Sequence, residues 1–181
     1  RIPAHIHEDE EAASKVIARK IADEINASEG VFRLGLSTGS SPVFVYKELV
    51  ELYNEGKVSF KNVEVYSIDE YYPAPADSFS RNRRLYQDFA AKVDINPDNV
   101  HVPKLSEVHE STFVTEFCAS YDAKARGLDF LVMGTGENGQ IGFNEAGASE
   151  QSRTRTVLLP YDSRKRQARN LAGDIAKTPN S

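Results

Sequence analysis

Short apolar runs, separated by stretches long enough to hold a helix, constrain this chain more than any other feature. "VFRLGL" (residues 31–36), "VEVYSI" (63–68) and "LDFLVMG" (128–134) each have the length and apolar content of a strand buried in a sheet. "TRTVLL" (154–159) is expected to be the next. Ahead of the first run, Ala12, Ala13, Val16, Ile17, Ile21 and Ile25 recur at helical spacing among charged residues, so 8–27 reads as an amphipathic helix. Helical patterns over 43–53, 83–93 and 111–126 fall between the strand candidates. Strands joined by helical crossovers pair in parallel and are covered on both faces, so the predicted class is α/β with a mostly parallel sheet flanked by helices. The 181 residues, 40% of them hydrophobic, suffice for one substantial core, so residues 1–181 are expected to form a single domain.

In sheets of this kind ligands bind outside the carboxyl ends of the strands. Three polar clusters follow three of the predicted strands. The first is the turn "STGSSP" (37–42), where Thr38, Gly39, Ser40 and Ser41 precede a helix, with Ser41 suited to the cap and Pro42 to the first helical position. Free backbone N–H groups, the positive helix end and the hydroxyls could seat a phosphate there, although such a turn also serves as a plain helix cap. Neither dinucleotide nor ATP fingerprints are present. The second cluster is Asp69 with Glu70, set directly after an apolar strand. Adjacent side chains of an extended chain point to opposite faces, so one acid is expected to face a pocket, as a proton-transfer base, and the other to support structure. The third is "GTGENGQIGFNEAG" (134–147), where Gly134, Gly136, Gly139 and Gly142 permit a tight, backbone-rich loop presenting Asn138, Gln140 and Glu145.

The net charge of −5 does not favour a broad nucleic-acid or anionic-membrane surface, and no apolar run reaches the roughly 18 residues of a spanning helix. Cytoplasm is the expected compartment. Cys118, the lone cysteine, lies between apolar neighbours and reads as a buried thiol. His5, His7, His101 and His109 follow no metal-ligand spacing. The opening "RIPAHIH" lacks an initiator methionine, so a longer protein is expected.

"LGLSTGSSP", "SIDEYY", "GTGENGQIGFNEAG" and "SRTR", in that order, resemble the glucosamine-6-phosphate deaminase/isomerase family across nearly the whole chain. The resemblance implies a three-layer Rossmann-like domain that converts an amino-sugar 6-phosphate to a ketose phosphate and releases ammonia, with no metal or redox cofactor. By the same resemblance Asp69 is the base that moves a proton between C2 and C1, Glu145 the loop acid, Ser40 and Ser41 phosphate ligands with Thr38 and Gly39 shaping the turn, and Arg169 a phosphate-binding arginine. Glu70, Gly134 and Gly136 complete the candidate substrate-binding set, and a homo-oligomer is the expected assembly.

Two departures qualify this. The family usually has an acid and a histidine at the positions of Asn138 and Gln140, the histidine assisting ring opening. Neither side chain here titrates near neutrality, although both can hydrogen-bond. The chain also stops at "IAKTPNS", where the family continues with further strands and helices, so its C-terminal part is expected to be absent. A catalytically impaired sugar-phosphate-binding or regulatory protein therefore remains an alternative. A 6-phosphogluconolactonase-like hydrolase is another, although "IGFNE" resembles the deaminases more.

Overall fold

The structure, a computed structural model, describes residues 3–39, 42–74 and 80–171, the side chains of 169–171 excepted. Its elements are α1 (Glu10–Ala27), β1 (Phe32–Leu36), α2 (Val43–Asn54), β2 (Val63–Ser67), α3 (Arg81–Asp88), β3 (Val100–His101), α4 (Ser111–Lys124), β4 (Phe130–Val132) and α5 (Tyr161–Leu171). Asp9 starts α1 by accepting the Ala12 N–H at 2.7 Å, and Glu10 and Glu11 lie favourably against the positive helix end.

The four strands form one parallel sheet in the order β3-β2-β1-β4. Leu34 pairs with Val65 and with Phe130 in register, and Leu36 with Ser67 and Val132. The alternation of the strands sorts the two faces. Phe32, Leu34, Leu36, Val63 and Val65 join Ala18 and Ile21 of α1, Leu49 of α2 and Leu85 of α3 in the main core. Phe60 and Phe89 meet edge to face at 5.1 Å within it. On the other face Arg33 pairs with Glu64 at 3.2 Å, while Tyr66 packs against His101 and against Tyr121 of α4.

This is the predicted α/β class with a parallel sheet between helices. Several elements differ from expectation. Residues 154–159 form no strand: Val157 and Leu159 instead pack on Tyr71 and Phe143 in a small second cluster, so their apolar pattern serves side-chain packing without a ladder. The sheet takes its remaining strand from Val100–His101, directly after a 3-10 turn at Pro97–Asn99. The helix expected over 83–93 starts at Arg81 and breaks at Phe89, with φ −134° and ψ −69°, before a 3-10 turn at Ala90–Lys92. No described helix is long and apolar enough to cross a membrane.

Two buried tyrosines secure the strand ends that matter for the site. Tyr46 of α2 donates its hydroxyl to the Ser37 carbonyl just past β1, and Tyr121 of α4 donates to the Ser67 carbonyl of β2 at 2.6 Å. Burial pushes both hydroxyls well above the usual tyrosine range. Asp69 and Asp88 add to the effect at Tyr46, and Tyr66 and Asp69 at Tyr121.

Candidate functional site

The chain leaves β1 toward β2 on one side of the sheet, whereas β4 joins β1 on the other. That reversal opens a crevice outside the carboxyl ends of β1 and β4, where open α/β sheets bind ligands. A cleft of about 130 Å³ lies there. Ser37 and Gly39 line it from the end of β1, and Asp69 from beyond β2. Arg81 comes from α3, Gly134, Gly136 and Gln140 from the glycine loop, and Gln167 from α5. The three predicted clusters therefore converge.

Asp69 is 9% exposed. Its Oδ1 accepts the Thr38 hydroxyl at 3.0 Å and lies 3.6 Å from Nη1 of Arg81. Arg81 Nη1 also donates to Thr38 Oγ1 at 3.4 Å, and Nη2 to Gln167 Oε1 at 3.3 Å. Asp69 Oδ2 points instead toward Gly142, where an added Cβ would meet it at 3.3 Å, and among the described residues no hydrogen bond ends on it. Glu70 turns the other way. Its carboxylate accepts the Ser80 hydroxyl at 2.8 Å and the N–H groups of Arg81 and Asn82 at 3.1 and 2.9 Å, neutralising orphan donors at the start of α3.

The glycine loop is a small hairpin. Thr135 bridges to Ile141, the Gly136 N–H donates to the Gln140 carbonyl at 2.8 Å, and Gly139 turns the chain at φ +81°. Gly136 is needed for close approach, since a Cβ there would lie 2.5 Å from Gln140 Cγ. Asn138 accepts the Gln140 N–H at 3.1 Å and donates Nδ2 to Glu145 Oε2 at 2.6 Å. Glu145 Oε1 accepts the Ser163 hydroxyl of α5. Arg166, one turn on, reaches Ser163 Oγ at 2.6 Å, Gln140 Oε1 at 2.8 Å and Glu145 Oε1 at 4.0 Å. A guanidinium only donates, so the Gln140 amide oxygen must face Arg166, leaving Nε2 to donate to the Gly142 carbonyl at 3.3 Å.

The structure thus brings Asp69, Gly39, Gly134, Gly136 and Gln140 to one cleft, with Glu145 and Asn138 in the network behind Gln140. Two expected substrate contacts are otherwise engaged: the Thr38 hydroxyl is held by Asp69, and Glu70 by α3. Pro42, expected at the first helical position, is itself the cap of α2, so the helix starts one residue later than expected and has no side-chain cap bond. Ser40, Ser41 and the Arg169 side chain lie outside the described residues. Sequence reasoning missed Arg81, Ser163, Arg166 and Gln167. The last three sit on α5, which buries Ser163 and Ala168 and docks largely through polar groups, so it carries no apolar stripe to reveal it. Arg81 stands in "RNRR", which reads as a solvated helix start.

Residues 8–170 match the family described as glucosamine-6-phosphate isomerases/6-phosphogluconolactonase. A glucosamine-6-phosphate deaminase of Caenorhabditis elegans is 37% identical over 182 residues, covering 96% of this chain and 66% of that protein. A glucosamine-6-phosphate isomerase of Candida albicans is 37% identical over 171 residues, covering 92% of this chain and 67% of its own. Glucosamine-6-phosphate deaminase 1 of Homo sapiens is 35% identical, covering 97% of this chain and 61% of its own. The chain therefore spans 61–67% of the length of these three relatives. Among solved structures, a monomeric glucosamine-6-phosphate deaminase superposes with a TM-score of 0.86 at 28% identity, over 96% of this chain and 71% of that one. The 6-phosphogluconolactonase of Thermotoga maritima, at 0.61 and 21% identity over 77% of this chain and 63% of that one, shares the fold.

Proposed function

The chain belongs to the glucosamine-6-phosphate isomerase/6-phosphogluconolactonase family, and on that premise we propose that its cleft isomerises and deaminates an amino-sugar 6-phosphate. The observation that carries this reading is Asp69: a carboxylate 9% exposed at the reversal point of the sheet, with one oxygen held and the other turned into the cleft. In the open-chain sugar this carboxylate removes the C2 proton. The C2–H electron pair forms a C1–C2 double bond as the C1 carbonyl electrons move to oxygen. The enolate oxygen takes a proton from the C2 ammonium, giving an enolamine; return of the Asp69 proton to C1, as the nitrogen lone pair forms a C2=N bond, leaves a hydroxymethyl group at C1 and an iminium at C2. Addition of water there and loss of ammonia leave the ketose phosphate.

The phosphate belongs at the turn between β1 and α2, on Gly39, Ser40 and Ser41. Support comes from Gly39 and Pro42, which line the cleft on either side of the two serines. Arg169 follows the cleft residue Gln167 by two positions and joins them as a phosphate ligand in this reading. The same reading takes the protein as a cytoplasmic homo-oligomer, an assembly that sedimentation tests.

A sugar-phosphate binder of impaired catalysis is the second reading, favoured by one observation: Gln140 is committed to Arg166 and Gly142 and carries no titratable proton. Ammonia release from glucosamine 6-phosphate, followed beside exchange of its C2 hydrogen in deuterated water, separates the two. The enzyme reading requires both signals in the parent and neither in Asp69→Asn. Phosphate binding without either signal leaves the binder.

A further inference from the structure

Arg81 is an unusual cation. It is 7% exposed, and its guanidinium lies over the rings of Tyr71 and Phe143, at 5.2 and 4.4 Å from their centroids. Among the described residues its Nε has no hydrogen-bond partner. Burying a guanidinium is costly unless a negative partner offsets it, so its place beside Asp69 is the arrangement to explain. Burial alone would lower its pKa, yet the Asp69 carboxylate, with Tyr71 and Glu70 beside it, outweighs that and holds it above the ordinary arginine value. Its backbone is fixed as well, because Glu70, the neighbour of Asp69, accepts the Arg81 N–H at 3.1 Å.

A carboxylate with both oxygens free can rotate about its Cβ–Cγ bond, and a general base depends on alignment with the bond it breaks. Here the two oxygens are made unequal. Oδ1 faces Thr38 and Arg81, whereas Oδ2 faces Gly142 and the cleft.

We propose that Arg81 is a positioning residue for Asp69: with Thr38 it holds Oδ1, so that Oδ2 alone takes and returns the substrate proton. This rests on the functional reading above. The O–H bond made on Oδ2 as C2–H breaks is broken again when C1–H forms, so the carboxylate returns to its starting state and Arg81 exchanges no proton. Thr38 is a partner in this role, and its hydroxyl serves Asp69 rather than the phosphate.

The test compares the parent with Arg81→Met, whose unbranched apolar side chain can lie against the same two rings, and with Arg81→Lys, which keeps the charge but not the fork. Exchange of the C2 hydrogen of glucosamine 6-phosphate is followed in deuterated water, binding of the same compound is measured separately, and the Arg81→Met crystal structure locates the Asp69 carboxylate. Expected are an exchange rate about 100-fold lower in Arg81→Met with binding unchanged, partial recovery in Arg81→Lys, and an Asp69 side chain rotated off Thr38. Exchange at the parental rate in Arg81→Met, or loss of binding in step with exchange, overturns the proposal. If the parent itself exchanges nothing, the functional reading fails, and the position of Asp69 in the variant alone decides the role of Arg81: unmoved, it overturns the proposal. Should Arg81→Met not fold, Arg81→Lys is read by the same criteria.

Discussion

Asn138 and Glu145 face each other across 2.6 Å, Nδ2 donating to Oε2, while Asn138 Oδ1 accepts the N–H of Gln140. An aspartate at 138 could make the second bond but not the first, because an ionised carboxylate only accepts. The amide is therefore the form that fits opposite Glu145. Asn138→Asp is expected to lower stability at neutral pH by about 1 kcal/mol, a modest effect because the site is partly solvated. Thermal denaturation with and without added salt checks this, since screening should recover much of the loss.

Gln140→His is the obvious way to supply an imidazole to the loop, but Arg166 Nη2 lies 2.8 Å from Gln140 Oε1. A ring placed there would meet a guanidinium that opposes its protonation. The single variant is expected to release ammonia from glucosamine 6-phosphate no faster than the parent. Combined with Arg166→Ala and Asn138→Asp, it is expected to gain on the order of 100-fold, the scale of a general acid. A coupled ammonia assay on both variants decides the matter.

Gly142 adopts φ +57°, and a Cβ there would press on Asp69 Oδ2 at 3.3 Å. Gly142→Ala is expected to cost about 1 kcal/mol of stability through its left-handed backbone and to reduce C2 exchange by more than that loss explains. Denaturant melts and exchange rates on the same samples separate the two effects.

The sequence conveyed the strand-end geometry better than the side-chain partners. β1, β2, α1, α2 and α4 follow directly from period and composition, because each buries a continuous apolar face. β3 was missed since two residues cannot show a period. "TRTVLL" misled because apolar spacing alone does not tell a ladder from an extended segment that packs on Tyr71 and Phe143. The division of labour between Asp69 and Glu70 was legible from their adjacency at a strand end. Arg81 and Arg166 were not, since a buried arginine looks the same in sequence as a solvated one until the aromatic faces and acids around it are placed.

Tyr46 supplies a pH signature. Below about pH 10 its hydroxyl is neutral in both folded and unfolded chains, and its bond to the Ser37 carbonyl contributes about 1 kcal/mol. The folded value is raised, so as pH climbs past the unfolded value the unfolded chain loses its proton first, and the parent loses stability. Tyr46→Phe lacks that proton. The parent's advantage over the variant should be steady from pH 7 to 9 and shrink above 10, as read from urea melts at each pH.

The two acids that end "VEVYSIDE" serve different masters one residue apart: Asp69 the cleft, Glu70 the start of α3. A single-residue insertion or deletion between 63 and 69 would exchange their directions, putting the longer acid in the cleft and leaving α3 without its anchor at the same stroke. This stretch should therefore tolerate substitution far more readily than any change of length. In a library of variants, shifts of frame within it would be purged, even those that preserve every apolar residue of β2.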